Sequence, residues 1–362
     1  MEKVFDAHIH YKFEIPLPKT VEIFKKEFQE TATQKGCFLS LPYLDGKGQI
    51  DYFPTQNIKG LYLKHAFSPD FYAFSGLVYP KNLSGQALAD ELLRQAEEYA
   101  LAGYDGMKML EAYPSLLKHR KLPIDSEVYD KYYAFMQENG LPIVVHLANP
   151  DTCWDYEKAG ESFIKLGRVY DHTYPTKNEI TAQLFAVMKK FPKLKVILAH
   201  FGFFSLEKEN AERFLGDYEN TAFDITPGGE QLINMSRDWA SWLPFIEKYQ
   251  DRILYGTDFY AFPDDNEEEW RTNFKRRPDF VRQFMETNQT HLYVNEEFTG
   301  VLLEKALRKK IYFDNAERLF GSPKPVRMQY LFDESDRLLN TCPDLKDLDK
   351  ADLRYILEKI HR

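Results

Sequence analysis

Cysteine is scarce. Cys37, Cys153 and Cys342 are the only three among 362 residues, and they lie too far apart in sequence to suggest a disulfide framework or a CxxC metal knuckle. Each reads as a small apolar filler, with Cys153 kept in view because it follows a candidate site strand, and a reducing cytoplasmic setting is expected. No apolar run reaches the roughly 18 residues that a membrane-spanning helix requires. The opening residues 1–6 read as the start of a strand rather than as a charged segment, an apolar run and a cleavage site, so nothing suggests export. Positive charge is not in excess either: Lys and Arg number 47 against 56 Asp and Glu, a net charge of −9. With no basic block, an electrostatic footprint for nucleic acid or anionic lipid is missing. A small-molecule substrate is the expected partner, with a homo-oligomer left open. Glycine-rich phosphate loops and a nucleophile elbow are also missing, and Gly228-Gly229 is too short to signal a nucleotide site. There is no internal repeat and no low-complexity segment.

Hydrophobic residues make up 44% and charged residues 28%, which suits a soluble globular chain able to bury a large core. Short apolar runs alternate about eight times with longer amphipathic stretches, the pattern of βα units around a parallel sheet buried on both faces. Strands are expected at residues 3–7, 36–41, 74–79, 106–110, 142–146, 195–200, 221–225 and 252–256, and outer helices at 85–102, 125–139 and 178–190. Prolines at 142 and 192 fall where helices should stop before a strand. The fold class is α/β, a (β/α)8 barrel, with residues 1–322 as the barrel and 323–362 as a helical extension packed on it. Two segments exceed ordinary loop length, 42–73 after strand two and 259–297 after strand eight. The second reads equally as a charged helical lid or a solvent-facing pair of helices.

In FDAHIHY, His8 and His10 end an apolar strand two residues apart, so both side chains take the same face. Neutral imidazole is a good ligand for zinc and similar divalent ions, although a bare HxH is weak evidence. Three other apolar strands also finish on a polar group: LPIVVH at His146, KVILAH at His200 and RILYGTD at Asp258. Strand C-termini of a parallel barrel meet at one end, where such barrels build active sites from several strands. Invoking a hydrogen-bonded loop residue four separate times explains that set poorly.

The ordered series DAHIH, DGMKML, VVHLA, ILAHFG, AFDIT, YGTDF and YFDNAERLFG resembles the amidohydrolase superfamily. Within it, the likeness is to the amidohydrolase-related branch, which also contains decarboxylases. The resemblance implies that His8, His10 and Asp258 bind one metal, which His146 joins, or that His146 serves a second metal. It further implies that His200 binds the second metal or orients and polarises substrate. One or two divalent ions are expected, zinc first, with Mn, Fe or Co as alternatives. Lys108 has three readings: a carbamate bridging two metals, a free ammonium binding an anionic substrate group, or a lysine snorkelling at the rim. The free amine is preferred.

A divalent ion so held lowers the pKa of its water towards about 7 and supplies hydroxide. Asp258 would take that water's proton and pass it to the leaving group. The expected activity is hydrolysis of an amide, ester or lactone bond in a small molecule, with or without a carboxylate. Non-oxidative decarboxylation or hydration on the same scaffold is the alternative, and a non-catalytic metal-binding barrel a third reading that the intact ligand set disfavours. Catalytic roles fall to Asp258, His200 and Lys108, and substrate contacts to Lys108, His172 and Tyr260. Trp154 and Trp270 line the pocket or merely pack the lid. Asp224 and Glu111 read as caps of following segments in preference to groups orienting a histidine. His65, His119 and His291 read as surface residues.

Overall fold

In a computed structural model, which describes residues 1–12, 14–46, 49–228, 230–259 and 267–360, all eight expected strands form one parallel sheet. They are β1 (Val4–Ile9), β2 (Thr33–Leu39), β3 (Phe71–Gly76), β4 (Gly106–Met109), β5 (Ile143–Val145), β6 (Val196–Leu198), β7 (Thr221–Asp224) and β8 (Ile253–Leu254), paired in chain order. The ring closes where Ala7 N donates to Tyr255 O (3.0 Å), Asp258 N to His8 O (2.9 Å) and His10 N to Phe259 O (3.2 Å). The fold is therefore a (β/α)8 barrel. β3 begins three residues before its expected start, because Phe71 and Tyr72 already pair with Gly36 and Cys37.

Side-chain alternation divides the apolar residues into two layers. Phe5, Leu39, Tyr72, Phe74, Val144 and Ile197 fill the interior of the ring, while Val4, Phe38, Phe71, Ile143, Val196 and Leu198 face outward into the helical layer. The helices start and stop on local signals. Before the helix Lys177–Lys190, Thr176 and Glu179 form a reciprocal capping box, which satisfies two backbone donors that have no partner inside the helix.

The segment YFDNAERLFG closes one end of the barrel. Phe313, Leu319 and Phe320 pack onto the interior cluster, and the Phe320 ring lies 5.5 Å from Phe5 and 5.4 Å from Phe74. Asn315 donates from Nδ2 to Ile253 O (2.8 Å) and Gln250 O (2.7 Å), tying this plug beneath β8. Asn315→Ala strands the Ile253 carbonyl, and chemical denaturation should show a loss of about 1–3 kcal/mol. Unchanged stability would mean that the plug does not depend on this tie.

The insertion after β2 is an antiparallel hairpin, Tyr43–Gly46 with Gln49–Tyr52, followed by the helix Gln56–Ala66. Among the described residues, the insertion after β8 contains the helix Glu267–Glu286 and then a hairpin, Thr290–Tyr293 with Glu296–Thr299. Of the two readings of this segment, a helical lid or a pair of helices, the described residues give one helix over the charged stretch and a hairpin in place of a second helix. The β-forming residues Thr290, Leu292, Tyr293, Phe298 and Thr299 flank a tight turn in which Val294 takes a positive φ of 54°, and that pairing outweighs the charge pattern. The C-terminal helices Met328–Thr341 and Asp347–Ile360 lie against the barrel's outer helices. Lys59 Nζ meets Asp352 (2.7 Å) and Asp349 (3.0 Å), and Asp352 also accepts from Leu17 N (2.8 Å). No helix among the described residues is long and apolar enough to cross a membrane.

Candidate metal centre

The end of the barrel opposite the plug gathers the strand-end polar residues, and a local irregularity in β1 sets their aim. Asp6 pairs with Gly36 and Ile9 with Phe38, so three steps along β1 oppose two along β2. This is a β-bulge, which re-aims side chains by letting two residues occupy the place of one. Ala7 stays in the interior layer and His8 still turns inward beside His10. Asp6 fastens the bulge by accepting from His8 N (3.1 Å), Thr257 N (3.1 Å) and Thr257 Oγ1 (2.6 Å). Burial lifts the Asp6 carboxyl to about 7 against those hydrogen bonds.

His8 and His10 converge with their Nε2 atoms 3.0 Å apart. Asp258 Oδ1 lies 3.5 Å from the first and 3.3 Å from the second. Each ring's other nitrogen is engaged. His10 Nδ1 faces Leu39 O at 2.9 Å, and a carbonyl can only accept, so Nδ1 carries a proton and the lone pair of the neutral ring lies on Nε2. His8 Nδ1 faces Asp224 Oδ2 at 2.8 Å. Burial and the neighbouring Lys108 lower the His8 pKa to about 3 despite Asp224, so the ring is neutral near pH 7, with its one proton on Nδ1. Nε2 of each neutral ring and a carboxylate oxygen therefore point at one small volume, a donor set that suits a divalent cation. Their separations match the edges of a coordination shell, since ligand atoms about 2.1 Å from an ion lie about 3.0–3.4 Å from one another.

His200 adds a fourth group. Its backbone φ is 53°, and ligand atoms of His8, His200 and Asp258 all lie within 4.8 Å of one another. Thr226 Oγ1 donates to Asp224 Oδ1 (2.5 Å) and so accepts from His200 Nδ1 (2.9 Å). That fixes the tautomer: His200 Nε2 is also unprotonated. Asp224 is the hub of this wiring, holding His8 Nδ1, Thr226 and the backbone N–H of His200 (2.8 Å). Burial raises its pKa, but His8, His200 and Thr226 outweigh that and keep it ionised well below the ordinary carboxylate range. Asp224 therefore does both things read for it: it orients two site histidines, and it caps the following segment by accepting from Thr226 N (3.2 Å). A Cβ at Gly228 would sit 2.5 Å from His200 Cβ, so this glycine makes room for the ring.

His146 packs its ring 5.0 Å from that of His200, and its Nε2 lies 3.4 Å from Asn149 Oδ1. Burial, then His200 and Lys108, hold it far below the usual imidazole pKa. Lys108 sits on β4, paired with Val144 and Gly76, where a neighbouring strand has an interior apolar residue. Its Nζ is buried without a hydrogen-bond partner among the described residues, and burial lowers its pKa to about 8 against the pull of Asp224 and Asp258. Glu111 is buried, accepts from Tyr79 OH (3.0 Å) and lies 3.6 Å from Arg120.

The remaining expected residues lie elsewhere. His172 is exposed and borders a surface hollow with Trp154, Tyr170 and Tyr174. His65 and His119 are exposed, whereas His291 is half-buried against Thr287 Oγ1 (2.6 Å). Tyr260 lies outside the described residues, as does the side chain of Trp270. Arg277 was not singled out from the sequence. Its Nη1 contacts both Asp258 Oδ2 and the Asp258 carbonyl oxygen. Burial pushes Asp258 up, but Arg277, with His10, His200 and His8, outweighs it and holds the carboxyl well below its usual range.

A family model described as amidohydrolase matches residues 61–322, well over half of the chain, from the helix after the first hairpin to the plug. No curated protein sequence matches. Solved structures of similar fold include an uncharacterised TIM-barrel protein from Bordetella bronchiseptica, 14% identical over 88% of this chain and 98% of that one, with a TM-score of 0.54. An amidohydrolase II is 14% identical over 88% and 99%, with a TM-score of 0.55. The 2,6-dihydroxybenzoate decarboxylase from Rhizobium is 15% identical over 88% and 99%, with a TM-score of 0.50. Likeness at these identities concerns the fold.

Proposed function

The chain belongs to the amidohydrolase family, and from that premise we propose that it is a metal-dependent hydrolase of an amide, ester or lactone bond in a small carboxylated molecule. The observation that carries the reading is the meeting of two Nε2 atoms, 3.0 Å apart, with Asp258 Oδ1 at 3.3 and 3.5 Å, while the other nitrogen of each ring is held by an acceptor. Such a set of imidazole and carboxylate donors suits a divalent cation held between its members. His8, His10 and Asp258 would hold that ion, with His200 and His146 completing its surroundings or serving a second one. A divalent cation, zinc first and Mn, Fe or Co as alternatives, would supply Lewis acidity to a substrate oxygen and acidify a water molecule.

The protein's own groups divide the remaining work. Asp258 accepts the proton of the attacking water and returns it to the leaving group. Asp224 holds His8 in the tautomer that leaves Nε2 bare, and Thr226 does the same for His200. Lys108, buried and unpaired, offers its ammonium to an anionic substrate group. Residues 1–322 would form the catalytic barrel, and residues 323–362 an extension braced through Lys59.

Elemental analysis of purified protein, with His10→Ala as control, tests the reading. One ion per chain, lost in the variant, supports a mononuclear site with a free Lys108 amine, and two ions favour a carbamate there. No ion in protein never exposed to chelator would sink the proposal. Asp224→Asn should weaken metal binding about 10–100-fold, read by competition with a chromophoric chelator; unchanged affinity would remove Asp224 from that role. Release of carbon dioxide from an aromatic or unsaturated acid, with no hydrolysis across an amide, ester and lactone panel, would move the assignment to the decarboxylase alternative.

A further inference from the structure

The segment that follows β6 takes a conformation found nowhere else among the described residues. His200, Phe201, Gly202 and Phe203 have φ of 53°, 54°, 61° and 56° in succession, whereas every other positive φ stands alone. Three of the four carry a Cβ, which crowds the backbone in this left-handed region, so such a turn persists only where its surroundings hold it. At its start His200 N donates to Asp224 Oδ1 (2.8 Å), and just past its end Ser205 N donates to Gln231 Oε1 (3.1 Å). The third hold is a cation: Lys177 Nζ donates to the Phe203 carbonyl oxygen at 2.6 Å. The same amine meets Asp151 Oδ2 (2.6 Å), in the segment after β5, and the Glu207 carboxylate, beyond the turn. The Lys177 side chain is only 5% exposed, and it occupies the first position of the helix Lys177–Lys190, where the helix dipole favours an anion. Burial and the dipole both oppose a lysine here, and the contacts at its amine offset them.

We propose that Lys177 is a positioning residue for the metal centre: it clamps the left-handed turn through the Phe203 carbonyl and so sets where the His200 and His146 rings stand. The inference rests on the metal-dependent reading and adds to it a residue outside the ligand set. The line of contact is short. The Phe203 ring lies 5.2 Å from the His200 ring, inclined by 30°, and 5.4 Å from that of His146. If the turn relaxed towards the right-handed region, the Phe203 ring would leave both histidines, and the His200 ring would be carried off with its own backbone. Thr226 holds His200 by Nδ1, which fixes the tautomer but leaves the main chain beyond it to the clamp. A plain ion pair with Asp151 and Glu207 would tie two loops together without acting on the turn, so the contact with the carbonyl is the part of the arrangement that reaches the site.

The test measures amide hydrogen exchange of the metal-free protein and zinc affinity by chelator competition in wild type, Lys177→Met, Lys177→Arg and Asp151→Ala. Methionine lacks the donors, arginine keeps donors for the carbonyl, and Asp151→Ala removes an ion-pair partner while leaving the carbonyl contact. In Lys177→Met, exchange across residues 200–205 should speed, with β1 and the helix Lys208–Asp217 unchanged, and zinc should bind about tenfold more weakly or worse. Lys177→Arg should recover part of both losses, and Asp151→Ala should stay close to wild type in both. Unchanged exchange in the turn of Lys177→Met would overturn the proposal, as would faster exchange spread evenly over the chain, or a loosened turn with undiminished zinc affinity. If Lys177→Met did not fold, the other two variants would decide. A slow turn kept in both would support the clamp, and a turn loosened by Asp151→Ala would overturn it, because the ion pair rather than the carbonyl contact would then be what holds the segment. A wild type that takes up no zinc would be a failure of the metal-dependent reading, visible in metal content alone, and the exchange comparison, made without metal, would still decide whether Lys177 holds the turn.

Discussion

Asp258→Asn should lose turnover by about 10²–10⁴-fold, measured on any amide, ester or lactone that the wild type hydrolyses, while its metal content stays close to that of the parent. The asymmetry follows from the two oxygens of the side chain. An asparagine oxygen placed where Oδ1 now lies 3.3 Å from His10 Nε2 still offers a lone pair to a cation, and His8 and His10 are untouched. The other atom becomes an amide nitrogen, which can neither accept a proton nor receive a hydrogen bond from Arg277. The substitution thus separates holding an ion from moving a proton. Near-normal turnover would remove Asp258 as the base. Loss of metal together with turnover would show that its negative charge, rather than its proton-accepting oxygen, is what the centre needs.

The parts of this site that were legible from sequence are those fixed by strand geometry. His8 and His10 could be paired because a strand repeats every two residues, and His146, His200 and Asp258 could be joined to them because parallel strands share one C-terminal end. Asp224 was visible, but its role toward the histidines was ranked below its role as a cap. A carboxylate ending a strand caps a following turn or holds a distant histidine with equal ease on sequence grounds, and only the approach of His8 Nδ1 to 2.8 Å distinguishes the two. The bulge at Ala7 and His8 had no local signal, since it arises from register against β2 rather than from composition. Arg277 was hidden among several charges in FKRRPDF, and which of them reaches back to the barrel depends on how a long insertion folds. The hairpin after that helix was obscured for the opposite reason: its flanking charges suggested a helix, while pairing between Thr290–Tyr293 and Glu296–Thr299 decided the outcome.

A single methyl group at Gly256 should disturb several groups of the centre at once. A Cβ built there lies 2.4 Å from Thr226 Cγ2 and 2.9 Å from His8 Cβ. Neither neighbour is the end of a long, flexible chain. Thr226 is fixed by its bonds to Asp224 (2.5 Å) and His200 (2.9 Å), and His8 by Asp224 (2.8 Å). Moving either one breaks the wiring that keeps both histidines in the tautomer with a bare Nε2. Gly256→Ala is therefore expected to weaken metal binding by at least the 10–100-fold assigned to loss of an orienting partner, and to cost about 1–3 kcal/mol of stability through overpacking. Gly216→Ala provides the contrast. It lies in the helix Lys208–Asp217, its nearest obstacle is Tyr249 OH at 3.2 Å, and alanine is the better helix former by up to about 1 kcal/mol, so metal content should not change. Chelator competition and denaturation on both variants check the pair. If Gly256→Ala bound metal as the wild type does, the His8–Asp224–Thr226–His200 network would be adaptable rather than rigid, and tautomer control through it could not be what prepares the site.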